Sequence, residues 1–264
     1  MTTSHPWQFA PRFRRNAFGW QSDTPIQRIK EALSEIKGVA KKEPVVAAEG
    51  AVRFLEKLSP AIAQVDSSSD RIGAAVGGAI AVLVPIIAQA DVSATAREKW
   101  MVRLWDAIQQ DKIPYLEHLM DCWGELCVTK EVASTWADQL VPRVEAVWDR
   151  QAAGGEFEYF KGTQAAFSAL YASGRHDELF ALIAKSEYRF TSWSYREWGA
   201  RALVAAGKHR EAIAYAEGAK GLNEPLGAIA VFCERVLLET GFVEEAYARY
   251  ALAATYATTN LATF

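Results

Sequence analysis

Apolar residues recur every three or four positions through most of this chain, and almost nowhere do they alternate. Ile26, Ile29, Leu33, Ile36 and Val39 follow one another at helical spacing, which gives that segment one apolar face to pack inward. The punctuation is helical too. Thr24-Pro-Ile-Gln27 offers a capping threonine, a proline at the first helical position and a glutamine where a capping box needs one. Pro44 opens a second helix through Leu55 and Leu58, and Ser59-Pro60 starts a further short one. Ser93 caps a helix carrying Trp100, Leu104, Trp105 and Ile108, and Pro114 opens one through Leu116, Leu119, Trp123 and Leu126. A helix from Lys130 meets Pro142, which should kink or divide it, because proline lacks an N–H and crowds the preceding turn. One stretch alternates like a strand, Tyr188-Arg-Phe-Thr-Ser-Trp-Ser-Tyr195. It has nothing to pair with and reads as a loop leading into a helix. The expected fold class is all-α.

Residues 72–90 carry no charge and include Gly73-x-x-x-Gly77 and the run Ala79-Ile-Ala-Val-Leu-Val-Pro-Ile-Ile87. A polar loop, Asp66-Ser-Ser-Ser-Asp70, precedes them and ends in a capping residue. The length meets the minimum for crossing a bilayer. A helix buried on all sides within a helical stack reads the same way. The borders, Asp70 and Asp91, lack the basic flank and aromatic belt of a membrane span, which favours the core reading.

Ala152-Ala-Gly-Gly-Glu-Phe157 is the clearest internal break. Beyond it the chain repeats. Ala169-Leu-Tyr-Ala-Ser-Gly-Arg-His-Asp-Glu-Leu-Phe180 aligns with Ala202-Leu-Val-Ala-Ala-Gly-Lys-His-Arg-Glu-Ala-Ile213 and with Val236-Leu-Leu-Glu-Thr-Gly-Phe-Val-Glu-Glu-Ala-Tyr247. Gly174, Gly207 and Gly241 lie 33 and 34 residues apart, each followed four residues on by Glu178, Glu211 or Glu245. A helix-turn-helix unit needs glycine there, because the chain leaves the first helix through a left-handed conformation. Ala212 and Ala246 then let the second helix approach closely.

This period and turn resemble the tetratricopeptide repeat over residues 160–258. Leu170, Leu203 and Leu237 stand at that family's large residue in the first helix, and Ala219 and Ala253 at its small residue late in the second. Thr163, Arg196 and Ala230 occupy its tryptophan position, the Leu-Gly pair is missing and Leu179 replaces one alanine. The segment is tetratricopeptide-like and departs from the family proper. The first 150 residues lack the period and look like irregular, HEAT-like antiparallel helix pairs. Gln64-Val-Asp-Ser-Ser-Ser-Asp-Arg-Ile-Gly73 and the helices after it resemble helical regions that accompany bacterial SWIM-type zinc fingers. The finger's cysteine and histidine ligands are absent, so neither metal nor nucleic acid carries over. These resemblances imply a right-handed α-α superhelix, a solenoid with a basic, aromatic arm at 1–23, irregular helix pairs at 24–152 and the repeats at 157–264.

Composition trims the functional classes. Half of the 264 residues are hydrophobic and 23% are charged, which excludes a disordered chain. Three cysteines form no even disulfide framework and suit a reducing, cytoplasmic compartment. No apolar leader stands before a cleavage site in the first twenty residues. The net charge of −3 is an average: residues 1–42 hold eight Lys or Arg against three acids. There, Arg12, Arg14 and Arg15 interleave with Trp7, Phe9, Phe13, Phe18 and Trp20. That pattern suits stacking on nucleic-acid bases. It equally suits an arm whose rings pack on the first helices, and the lack of a second basic segment favours the arm.

Candidate chemistry is sparse. The chain has no phosphate-binding glycine loop ending in Lys-Ser/Thr, no dinucleotide fingerprint, no HExxH and no Gly-x-Ser-x-Gly. His118, Asp121 and Cys122 share a predicted helix but lack the further ligands a metal needs, so neither cofactor nor metal is expected. His176 and His209 follow the turn glycines and read as turn residues. Trp100, Trp105, Trp123, Trp136 and Trp148 read as packing. The tetratricopeptide resemblance implies a concave binding face on the first helix of each pair. Lys161, Gln164, Ser168 and Tyr171 fall on it, then Glu197, Trp198 and Arg201, then Phe232, Arg235 and Glu239. Arg201 and Arg235 are equivalent, so together they suit a carboxylate, with Tyr171, Trp198 and Phe232 as apolar contacts. The competing expectation pairs these arginines with Glu197 and Glu239 on a solvated face. Asn260-Leu-Ala-Thr-Phe264 is not a polar cap, so that end is expected to pack on the chain or a partner, or to continue into a longer protein. The expected role is a non-enzymatic scaffold binding a protein or peptide. Nucleic-acid binding through the arm and membrane association through 72–90 are the alternatives.

Overall fold

The structure, a computed structural model, describes residues 5–68, 70–156, 159–187, 193–219 and 226–255. Thirteen α-helices and no strand occur among them. Most of the strand-like stretch at 188–195 and the terminal 256–264 fall outside the described residues. Two compact units divide the chain, residues 1–173 and 174–264.

The first unit holds α1 (Asp23–Ala40), α2 (Pro44–Ile62), α3 (Arg71–Ala88), α4 (Ala94–Gln110), α5 (His118–Asp121), α6 (Trp123–Cys127), α7 (Lys130–Ala152) and α8 (Thr163–Ser173). Pro44 and Ser93 act as expected: Pro44 starts α2, and Ser93 Oγ accepts from Ala96 N–H. Elsewhere the expected boundaries shift. Helix α1 is capped at Ser22 without a side-chain hydrogen bond, which places Thr24 and Pro25 inside it. Ser59-Pro60 starts no new helix, for α2 runs through it. Two long-range bonds anchor that stretch: the Ser59 hydroxyl donates to buried Asp111, and the Pro60 carbonyl accepts from Asn16 N–H. Pro142 does not divide α7, which runs unbroken for 23 residues. The helix expected from Pro114 is instead two short ones, broken at Cys122. Ser168 of α8 fixes that break by accepting from Gly124 N–H and donating to Asp121 C=O. A Cβ on Gly124 would strike the Ser168 carbonyl, so only glycine lets α6 meet α8 this closely.

Helix α3 is the one described helix long and apolar enough to cross a bilayer. It is buried along one face rather than all round. Ile72, Val76, Ala79, Ile80, Leu83, Val84 and Ile87 point inward, and α1, α2, α5 and α6 pack on it. Buried Arg97 closes its far end by donating to the carbonyls of Ile87, Ala88 and Ala90. Orphan carbonyls at a helix C-terminus carry partial negative charge, so a guanidinium serves there as hydrogen-bond donor and counter-charge. Burial pulls the Arg97 pKa down from its ordinary value.

The arm's rings pack. Trp7, Phe9, Phe13 and Phe18 are buried, and Phe9 and Phe13 meet Phe54 edge-on at 5.3 and 4.9 Å. Trp7 lies on Gly50, where no Cβ fits. Arg12 pairs with Glu31 at 2.8 Å, leaving Trp20 as the exposed ring of the arm. Trp105, Trp123 and Trp136 form a three-ring cluster, in line with their reading as packing.

The second unit holds α9 (His176–Glu187), α10 (Trp193–Ala205), α11 (His209–Glu217), α12 (Leu226–Glu239) and α13 (Val243–Ala254). Each helix packs on the next from α9 to α13. Trp193, Ile213, Phe232, Cys233, Val236, Leu237 and Tyr250 share one core. Gly207 and Gly241 have φ of 74° and 82°. At both turns the same two bonds form: Gly207 N–H to Val204 and Lys208 N–H to Leu203, then Gly241 N–H to Leu238 and Phe242 N–H to Leu237. That pairing is a Schellman cap, and its left-handed residue is the position glycine tolerates best. Gly174 has φ of 78° as well.

Candidate functional site

On α10, Trp198 is 5% exposed, and the Arg201 guanidinium lies over its ring at 4.8 Å. Arg201 is tied to Glu197 one turn earlier, with Nη2 at 2.5 Å and Nε at 3.0 Å from Oε1. On α12, Phe232 is 4% exposed and the Arg235 guanidinium lies over it at 5.5 Å. Trp193 and Phe232 meet edge-on at 5.5 Å, joining α10 to α12. Both Trp198 and Phe232 are therefore buried, with the guanidinium groups lying over them.

The two arginines differ. Arg201 has its carboxylate, while Arg235 is exposed and has no ion pair among the described residues. Glu239, one turn on, does not pair with it. Val231 and Leu238 flank Arg235 on the same face, four residues before and three after, and remain 49% and 48% exposed. That face thus reads apolar, cationic, apolar. Leu226, Phe242, Val243, Tyr247 and Leu252 extend the exposed apolar surface over α12 and α13.

An ionic network ties α11 to α13. Glu245 accepts from Arg210 and Arg249 at 2.6 Å each, and Glu217 accepts from Arg249 at 3.0 Å and from the Tyr250 hydroxyl at 2.8 Å. The hydrogen bonds from Arg210 and Arg249 hold the Glu245 carboxyl down to about 2. Burial, then the Glu217 carboxylate, pushes the Tyr250 phenol up. Phe242 stands where the earlier repeats have Arg175 and Lys208, and Arg210 stacks on its ring at 4.4 Å.

The remaining sequence candidates lie in the first unit. Tyr171 is half-buried on α8. Ser168 is buried in the α5–α6 junction, and Lys161 Nζ donates to the carbonyls of Ile108 and Asp111, so neither lines an open face. His118 Nδ1 lies 3.5 Å from Asp121 Oδ2, and no group of three potential metal ligands occurs among the described residues. Burial pushes the Cys127 thiol up to about 12, which keeps it protonated and unreactive.

Sequence reasoning missed Val231 and Leu238. Their spacing around Arg235 carried the signal, because α12 holds more large apolar residues than one inward face can take. No protein-family model, curated protein or solved structure matches this chain.

Proposed function

We propose that the chain is a non-enzymatic, tetratricopeptide-like helical scaffold of the cytoplasm that binds a protein or peptide segment through its second unit. The observation that carries this reading is the Val231–Arg235–Leu238 face of α12, two exposed apolar side chains around an unpaired guanidinium. Exposed apolar area of this kind is costly to leave in water and marks interaction surfaces. An arginine stacked on an aromatic ring is held ready for a carboxylate, since little side-chain freedom remains to be lost. The fitting ligand is a segment with one acidic residue between apolar ones. Arg201, on Trp198, supports the neighbouring ridge. The matched caps at Gly207 and Gly241 support a repeating superhelix, in which successive first helices line one face.

A random peptide library displayed against the full chain tests this reading. Enriched peptides should carry Asp or Glu flanked by apolar residues. Arg235→Glu should weaken them by about a hundredfold, as loss of an anchor contact plus a new repulsion implies. Arg201→Ala should change affinity much less. An unenriched library, or binding indifferent to Arg235→Glu and Val231→Asp in variants with unchanged circular dichroism, overturns the reading.

A further inference from the structure

A second feature lies in the first unit and does not depend on the peptide face. Arg15, Asn16, Ser59, Gln110 and Lys112 line a cleft of about 190 Å³ where the arm crosses the ends of α2 and α4. Neither Arg15 nor Lys112 has an ion pair among the described residues, and the Asn16 and Gln110 amides make no side-chain hydrogen bond there. Two cations and two amides therefore converge on one concavity with their donors uncommitted. We propose that this cleft binds a small phosphate-bearing molecule, the phosphate lying between Arg15 and Lys112 with the Asn16 and Gln110 amides donating to it.

The backbone on both sides is fixed in advance, which distinguishes the cleft from loose surface charge. Residues 14–17 form a turn, closed by Ala17 N–H on Arg14 C=O, between two buried rings, Phe13 and Phe18, that touch at 5.4 Å. Asn16 holds φ at 53°, a left-handed conformation that costs energy for most residues and is tolerated best by Gly and Asn. Its N–H donates to Pro60 C=O at 2.9 Å, pinning the turn to the end of α2. On the other wall, Lys112 follows Asp111, whose carboxylate accepts from the Ser59 hydroxyl and from Leu116 N–H. Lys161 donates to the Asp111 carbonyl behind it. The ionisable side chains of the lining are thus Arg15 and Lys112, both cationic, and the Asp111 carboxylate next in sequence to Lys112 already has two donors. Arginine offers a planar fork and lysine a point charge, the pairing that oxyanions favour. A neutral or cationic ligand would leave both cations unanswered.

Titration of the full chain with inorganic phosphate and pyrophosphate, followed by calorimetry and thermal shift, tests the proposal. Pyrophosphate should bind more tightly than phosphate and raise the melting temperature as its concentration passes the dissociation constant. Arg15→Ala with Lys112→Ala should weaken binding by about tenfold or more, the effect expected for losing charge-assisted contacts. Both side chains are exposed, so the fold should survive, and an unchanged melting temperature without ligand checks this. Arg14→Ala, one residue away but outside the lining, should bind as the parent does. An equal loss in Arg14→Ala means diffuse charge and overturns the site. So does binding only to phosphatidylglycerol vesicles or only to a single-stranded oligonucleotide, with phosphate and pyrophosphate inert.

Discussion

Trp7, Phe9, Phe13 and Phe18 of the arm are all buried, whereas Leu226, Val231, Leu238, Phe242, Val243, Tyr247 and Leu252 of the last helix pair all stay exposed. The first unit buries most of its large side chains, with Trp20, Val45, Val102, Val128 and Tyr159 left exposed, and ties many of its polar groups to one another. Arg103 holds Glu49 and Glu56 at 2.7 Å each, Trp100 Nε1 donates to Glu49, and Arg97 closes α3. The second unit builds its core from the inward faces of α10, α11, α12 and α13 and leaves apolar area on the outer faces of α12 and α13. The difference separates residues that hold the molecule together from residues available to something else. Burial of an aromatic side chain contributes about 2 kcal/mol or more, and an exposed one leaves that free energy for a later contact.

The contrast breaks most severely at Arg97. Arg97→Met keeps the bulk of the stem but removes the side-chain donor from the carbonyls of Ile87, Ala88 and Ala90, of which Ile87 still accepts from backbone N–H groups. Unsatisfied buried acceptors cost about 1–3 kcal/mol each, so with two carbonyls left without a donor a loss of about 3 kcal/mol is expected. In a unit of this size that lowers the melting temperature by about 6–12 °C, read by calorimetry or denaturant melts. A melting temperature unchanged to within a degree would mean that water reaches those carbonyls and that the first unit is not sealed at that end.

Tyr247 and Leu252, at 78% and 81% exposure, sharpen the same contrast from the other side. Tyr247→Ser with Leu252→Ser should shift stability by no more than about 0.5 kcal/mol per site, as for surface changes without buried partners. The same double variant should sediment as a monomer at concentrations where any self-association of the parent is visible. A destabilisation comparable to that of Arg97→Met would show the two side chains to be covered in solution, and the distinction between the units would fall.

Local chemistry made part of this legible in advance. Gly174, Gly207 and Gly241 announced the turns because a positive φ at a helix end selects glycine almost alone. Ser93 announced its helix because its cap is satisfied within three residues. The course of α2 through Pro60 and the break at Cys122 could not be read, because distant partners bear on both. Asn16 and Asp111 steady the α2 end from 44 and 52 residues away, and Ser168 splits α5 from α6. At the candidate site, spacing alone treated Glu197–Arg201 and Arg235–Glu239 as equal pairs. Their order differs, and an acid placed one turn before its base pairs better than the reverse, with the helix dipole behind it. Arg201 is paired and Arg235 is not. The cleft at Arg15 and Lys112 left no local trace, since its walls come from segments nearly a hundred residues apart.

The smallest expected effect concerns the ionic tie between α11 and α13. Glu245 has a folded-state carboxyl held down to about 2 by Arg210 and Arg249, against an ordinary value of 4.5. A carboxyl lowered on folding binds its proton more weakly in the folded state, so the tie contributes in full above 4.5. The contribution falls as the pH drops from 4.5 towards 2 and is gone below that. Glu245→Gln should therefore lower the melting temperature slightly at neutral pH, and its curve should converge on the parent's between those two values. These groups face solvent, so salt should shrink the neutral-pH difference, as screening of an exposed network requires. Parallel curves through that window would show that the three side chains are solvated separately and that α13 is held by Ala246 and Tyr250 in the core alone.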